Sequence, residues 1–142
     1  MEHVTQEFSS DPRQLAAVRA LVRDACRRAW AVPDEEGLAQ LELAVGEAAA
    51  NIMLHAYAGN PDRPLELVVA AAAEQVSVAL FHQGEPFDPR RLVPPTFDGS
   101  RENGFGMYLI RQAVDECTFF QDERGHHGVR LTKRWHGPDQ QE

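Results

Sequence analysis

Three polar side chains at helical spacing form the first candidate site in this sequence. Glu47, Asn51 and His55 stand four residues apart, so in an α-helix they line one face. A carboxylate can accept a proton, an amide oxygen is a hard ligand for a divalent cation, and an imidazole can bind or exchange a proton. The alanines at 48–50 leave space for a ligand to approach this face. The alternative is a solvated helix face, which is the commoner setting for charged residues on a helix.

A glycine pair near the C-terminal third forms the second candidate site. Gly104, Phe105 and Gly106 stand where an irregular segment runs into a predicted helix. The first backbone N–H groups of a helix are unpaired and carry partial positive charge, so such a junction can bind a phosphate group. The alternative is that the glycines only shape the turn. Residues 90–103, with two prolines and a glycine, are predicted to form a long loop, which in a small domain is often a lid.

The elements that position these residues are predicted from periodicity and turn chemistry. The central element is the helix that contains residues 38–57. Asp34 marks its start, and one apolar arc of the helix is expected to be buried. An earlier helix is predicted to begin at Asp11 and Pro12. The predicted strands are 2–9 as an edge strand, a hairpin of 65–72 and 75–82, and a second hairpin of 117–121 and 128–135. The sequence therefore predicts one α/β domain over residues 1–142.

Composition narrows the classes of function. The chain has 142 residues, a formal charge of −8 and a pI of about 5.2, which argues against direct binding to nucleic acid or to an anionic membrane. No apolar run is long enough to cross a bilayer and no signal peptide is visible, so we expect a cytoplasmic protein. Cys26 and Cys117 lack metal-ligand spacing and are expected to be core thiols.

Taken in order, these motifs resemble a known family. The set is Glu47-x-x-x-Asn51 on a helix, FHQGEPFDP (81–89) at the end of a strand, GFGMYLI (104–110) opening a helix, and GHHGVRLTK (125–133) near the end of the chain. It resembles the GHKL ATPases, which share a histidine-kinase-like ATPase domain, and within them the bacterial anti-sigma-factor serine kinases of the partner-switching type. The resemblance covers about residues 5–135. It implies the GHKL (Bergerat) ATP-binding fold, a two-layer α/β (α+β) sandwich in which helices cover one face of a mixed, mostly antiparallel sheet of four or five strands.

The resemblance also implies roles for individual residues. Asn51 matches the asparagine that binds Mg²⁺, and Glu47 matches the general base that takes the proton of a partner's serine hydroxyl. Arg101 lies near the position of an arginine that contacts the γ-phosphate, and residues 90–103 would be the ATP lid. His55 either touches the nucleotide or completes the helix face, and we favour the structural role. The positions implied to bind ATP are Asn51, His55, His82, Gln83, Gly84, Arg101, Gly104, Phe105 and Gly106.

His82 is where the sequence departs from the family. The family has an aspartate there, and its carboxylate accepts a hydrogen bond from the amino group of adenine. A neutral imidazole accepts with one nitrogen only, and a protonated imidazole does not accept at all. Gln83 could offer its carbonyl oxygen instead if the strand turns that side chain inward.

Two functions follow from the resemblance. The first is an ATP- and Mg²⁺-dependent protein serine kinase that acts as an anti-sigma factor. By resemblance it would bind a sigma factor, phosphorylate a STAS-domain antagonist and form a homodimer. The second is a degenerate module that keeps the fold and the partner surface without productive ATP chemistry. Glu47 and Asn51 favour the kinase, which we prefer, whereas His82 favours the binding module.

Overall fold

The structure, a computed structural model, describes residues 2–30, 34–86 and 105–134, without the side chains of 105–107. The strands are β1 (Glu2–Ser9), β2 (Pro64–Ala71), β3 (Gln75–His82), β4 (Glu116–Gln121) and β5 (His127–Arg134). The helices are α1 (Leu15–Ala29), α2 (Glu35–Asn51) and α3 (Phe105–Ala113). A short 3₁₀ turn (Pro12–Gln14) precedes α1, and a π-helical turn (Ile52–Ala56) extends α2. The predicted lid (90–103), which includes Arg101, lies outside the described residues, and so does Gly104, which follows it.

The five strands form one sheet in the order β1-β2-β3-β5-β4, with β1 at an edge as predicted. Every described pairing is antiparallel, so the parallel component that we had allowed for is not seen among these strands. Both predicted hairpins are present, and their strand limits differ from the predicted ones by one residue or less. The expected α/β sandwich is confirmed.

One apolar core lies between the sheet and the helices. In β2 every second residue from Leu65 to Ala71 is buried, as is every second residue of β3 from Val76 to His82. This alternation turns one face of the sheet toward the helices. Helix α1 packs against β1 and β2, α2 against β3 and β5, and α3 against β4 and α2. Leu38, Leu41 and Val45 of α2, which formed the predicted apolar arc, are fully or almost fully buried.

Local chemistry sets the starts of the first two helices. The Asp11 carboxylate accepts a hydrogen bond from the backbone N–H of Arg13, 2.9 Å away, at the 3₁₀ turn that leads into α1. The Asp34 carboxylate accepts from the backbone N–H of Gly37 at 3.0 Å and caps α2. The start at Asp34 agrees with the sequence prediction, whereas Asp11 and Pro12 begin the 3₁₀ turn and α1 itself begins at Leu15.

Both cysteines are free thiols, as predicted. Burial raises the pKa of Cys26 to about 12, with a further contribution from the charge of Glu42. Burial also raises the pKa of Cys117. Neither thiol is therefore an activated nucleophile.

Candidate functional site

The polar face of α2 survives in the folded protein. Glu47 and Asn51 are each half-buried, on the helix whose opposite side fills the core. Within the described part of the chain, neither side chain makes a hydrogen bond or ion pair. Two other carboxylates of α2 are engaged: Glu42 accepts from Arg23 at 2.9 Å, and Glu35 accepts from Arg27 at 3.4 Å. Glu47 and Asn51 are thus positioned by a helix that the core holds in place, with no partner among the described residues.

The helix changes its pitch directly after Asn51. The backbone N–H of Tyr57 donates to the carbonyl of Ile52, five residues back, at 3.0 Å. This wider π-helical turn ends the four-residue register that had placed His55 in line with Asn51. His55 is half-buried and takes part in an interaction, and whether it contacts a nucleotide or only completes the helix face stays a prediction.

Tyr57 joins the end of α2 to the two central strands. Its hydroxyl donates to the carbonyl of Pro64 at 2.5 Å and accepts from the backbone N–H of Gln83 at 2.7 Å. The backbone N–H of Glu85 donates to the carbonyl of Ala56 at 3.0 Å. The turn after β3 is therefore held against the C-terminal end of α2. Tyr57 is not among the residues predicted from sequence to form the site, although its hydroxyl at the end of the predicted helix indicates a hydrogen-bonding role.

Gly84 makes that close approach possible. A Cβ atom at this position would lie 2.7 Å from the carbonyl carbon of Ala56 and 2.9 Å from the ring of Tyr57. Both neighbours belong to the end of α2, and one of them is backbone, which cannot rotate away. Gly84 is therefore needed for the close packing of the turn against the helix as well as for the turn itself.

His82, and not Gln83, faces the helices. The His82 side chain is 7% exposed and lies on the same face of β3 as Val78 and Leu80, whereas the Gln83 side chain is exposed. The condition under which the Gln83 carbonyl could replace the family's aspartate is thus not met. The centroid of the His82 ring lies 5.9 Å from that of the Tyr57 ring and 5.7 Å from that of the His127 ring. His127 is the residue that pairs with His82 on β5.

The environment of His82 keeps its ring neutral. Burial, helped by the nearby His127 and His126, lowers the pKa of His82 to about 4. The backbone N–H of Gly84 donates to Nδ1 of His82 at 3.1 Å. Because Nδ1 accepts this bond, the proton of the neutral ring is on Nε2.

Helix α3 packs against α2, and its last turn is held beside the N-terminal half of that helix. Lys133 Nζ donates to Oε1 of Gln40 at 2.7 Å and to the carbonyl of Ala113 at 2.9 Å. Phe105 and Gly106 form the other end of α3, at its first turn.

The polar face of α2 combines an amide oxygen at Asn51 with a carboxylate at Glu47, one helical turn apart. No group of three or more His, Cys, Asp or Glu side chains within the described ranges could hold a metal ion by itself. A cation here would therefore depend on Asn51 together with phosphate oxygens and water, as Mg²⁺ commonly does. No helix of the described ranges is long and apolar enough to cross a membrane.

A five-stranded antiparallel sheet with helices packed against it is the architecture of a GHKL-type ATPase domain. Residues 8–133 match the family model of the histidine kinase-like ATPase domain. Because the match covers most of the chain, the protein belongs to this family.

Two relatives and one solved structure are similar to this chain. The chain is 25% identical over 130 residues to a serine-protein kinase RsbW of Staphylococcus epidermidis, covering 85% of this chain and 80% of the relative. It is 26% identical over 108 residues to an anti-sigma F factor of Bacillus cytotoxicus, covering 71% and 72% of the two chains. The fold is similar to the RsbU and RsbW domains of Rv1364c from Mycobacterium tuberculosis (TM-score 0.65, 17% identity, 94% of this chain and 32% of that longer chain). The resemblance to the anti-sigma-factor kinases is thereby confirmed.

Proposed function

We propose that this protein is an ATP- and Mg²⁺-dependent protein serine kinase that acts as an anti-sigma factor. In this proposal it binds a sigma factor and phosphorylates a STAS-domain antagonist, so that phosphorylation decides which partner is bound. It works in the bacterial cytoplasm, as a homodimer. The relatives named as serine-protein kinase and as anti-sigma F factor support this class of function.

The observation that carries the proposal is the availability of Glu47 and Asn51. A half-buried carboxylate and a half-buried amide lie one helical turn apart and are unpaired among the described residues, so each can bind a ligand without breaking a bond to one of those residues. In the proposed reaction the Asn51 oxygen would hold Mg²⁺, and the cation would supply positive charge to the phosphates. Glu47 takes the proton of the partner's serine hydroxyl as its oxygen bonds to the γ-phosphorus and ADP leaves. The start of α3, with Gly104 and Gly106, would bind phosphate oxygens, and Arg101 would contact the γ-phosphate.

The test is transfer of phosphate to a partner. The purified protein is incubated with γ-labelled ATP, Mg²⁺ and each STAS-domain protein encoded in the same genome. We expect label on a serine of one of them, and no label when EDTA removes the cation. For Asn51→Ala we expect at least a tenfold loss of Mg²⁺-dependent ATP affinity by calorimetry. Asn60→Ala, an exposed asparagine in the turn before β2, is the matched control. Unchanged affinity in Asn51→Ala would remove Asn51 from the metal site.

The second candidate is a partner-binding module without ATP chemistry, and His82 is the observation that favours it. Its Nδ1 is occupied by Gly84, so the ring offers no acceptor to the amino group of adenine. Calorimetric titration with ATP–Mg²⁺, with GTP–Mg²⁺ and with ATP plus EDTA separates the candidates. No binding of either nucleotide at millimolar concentration, with a sigma factor still bound, would favour the module over the kinase.

A further inference from the structure

The imidazole of His82 presents a buried donor for which the described part of the chain supplies no acceptor. Its Nδ1 accepts from Gly84 at 3.1 Å, which leaves the proton on Nε2. The side chain is 7% exposed, so water reaches it poorly. Among the residues that the structure describes, no atom accepts a hydrogen bond from Nε2. A buried N–H without an acceptor is unfavourable, and native structures rarely retain one unless a water or a ligand satisfies it.

The donor lies where a ligand of α2 would reach it. His82 is on the helix-covered face of β3, and the turn that follows is bonded to the end of α2 through Ala56 and Tyr57. Asn51 is on the same end of α2, before the π-helical turn. A nucleotide whose phosphates meet Asn51 and the start of α3 can therefore place its base near His82. The rings of Tyr57 and His127 lie beside the His82 ring, at centroid distances of 5.9 and 5.7 Å.

We propose that His82 reads the base through Nε2–H, as a donor to an acceptor atom on the purine edge. This inference rests on the proposed nucleotide site and states its base specificity. A donor cannot bond the 6-amino group of adenine, but it can bond a ring nitrogen or a 6-oxo group. The site therefore takes purine nucleoside triphosphates without selecting for the 6-amino group, and hypoxanthine and guanine bases bind at least as well as adenine.

The test compares the Mg²⁺ complexes of four nucleotides by calorimetry on the unaltered protein. They are ATP, purine riboside triphosphate, which lacks the 6-substituent, ITP and GTP. We expect purine riboside triphosphate to bind within about threefold of ATP, and ITP and GTP to bind as tightly as ATP or more tightly. A tenfold or greater loss on removing the 6-amino group, or a tenfold preference for ATP over ITP, would overturn the inference while leaving the kinase proposal intact. No binding of any of the four would overturn the nucleotide site itself.

A substitution and a spectroscopic measurement give independent checks. His82→Asp replaces the donor with an acceptor and is expected to create at least a tenfold preference for ATP over ITP. His3→Asp, at an exposed position of β1, is the matched control and should leave the nucleotide ratios unchanged. If His82→Asp does not fold, nitrogen NMR of the unaltered protein decides the donor directly: the Nε2–H tautomer is expected, and an Nδ1–H tautomer would contradict the inference.

Discussion

At the scale of single residues, the role of each polar group depends on whether the fold has already given it a partner. Glu42 and Glu35 of α2 are in ion pairs, whereas Glu47 one turn further along is not paired with a described residue. Periodicity placed Glu47, Asn51 and His55 on one stripe. The structure keeps the first two in α-helical register, and the π-helical turn places His55 beyond the change in pitch.

The first residue-scale prediction concerns Glu47. Glu47→Gln keeps the size and hydrogen-bonding capacity of the side chain but removes its basicity. We expect phosphotransfer to a STAS-domain partner to fall by at least a hundredfold, with ATP–Mg²⁺ affinity changed less than threefold. Glu36→Gln, at an exposed position in the first turn of the same helix, should leave both quantities unchanged. If affinity and transfer fall together in Glu47→Gln, Glu47 acts in binding and not as the base.

The second residue-scale prediction concerns pH. The pKa of His82 is lowered to about 4 in the folded protein, from an ordinary value of 6.5. The unfolded chain therefore binds a proton that the folded chain resists, and the free energy of unfolding falls as pH decreases from about 6.5 to about 4. At about 1.4 kcal/mol per pKa unit, the loss is at most about 3.5 kcal/mol. Urea unfolding across this range measures it.

The control for the pH prediction is His82→Asn, which cannot be protonated. The difference between the two proteins isolates His82 from carboxylates such as Asp11 and Asp122, whose pKa values are also lowered. The pKa of Asp11 is lowered chiefly by the hydrogen bond from the Arg13 side chain. Burial acts to raise the pKa of Asp122, but the hydrogen bonds from Arg124 and His126 and the charge of Arg124 together lower it by more. Equal pH dependence in wild type and His82→Asn would show that His82 is not held neutral by the fold.

At the scale of elements, the site depends on how closely the turn after β3 meets the end of α2. Gly84→Ala would force a Cβ atom into the backbone of Ala56, so we expect a loss of roughly 2 kcal/mol of stability and weaker nucleotide binding. Gly46→Ala is the matched change inside α2. There the added Cβ would lie 3.1 Å from the flexible end of Arg19, and alanine is the better helix former. Urea unfolding should show Gly46→Ala to be neutral or stabilising. A neutral Gly84→Ala would mean that the turn can move away from the helix.

At the scale of the whole molecule, hydrogen bonds from Lys133 link α2 and α3 to the sheet. Its ammonium group donates to Gln40 of α2 and to the last carbonyl of α3 from its position on β5. Lys133→Met keeps the apolar stem and removes both bonds, so we expect a loss of about 1–3 kcal/mol in urea unfolding. Arg134→Met removes only a 3.1 Å ion pair between exposed side chains and should cost less than about 0.5 kcal/mol. Equal effects would mean that the Lys133 bonds contribute little to docking α3.

The sequence by itself determined the elements, the edge position of β1, the capped helix starts and the family, because each depends on local periodicity, turn residues or ordered motifs. It also marked Glu47 and Asn51, since a four-residue spacing in a helix is enough to place two side chains on one face. Only the tertiary structure decided what His82, Gln83 and Tyr57 do. Their roles depend on which face of β3 is covered and on contacts between residues far apart in the chain, such as Tyr57 with Gln83 and His82 with His127. Burial keeps the His82 ring neutral, and the hydrogen bond from the Gly84 amide sets its tautomer. Neither property follows from the spacing of residues in the sequence.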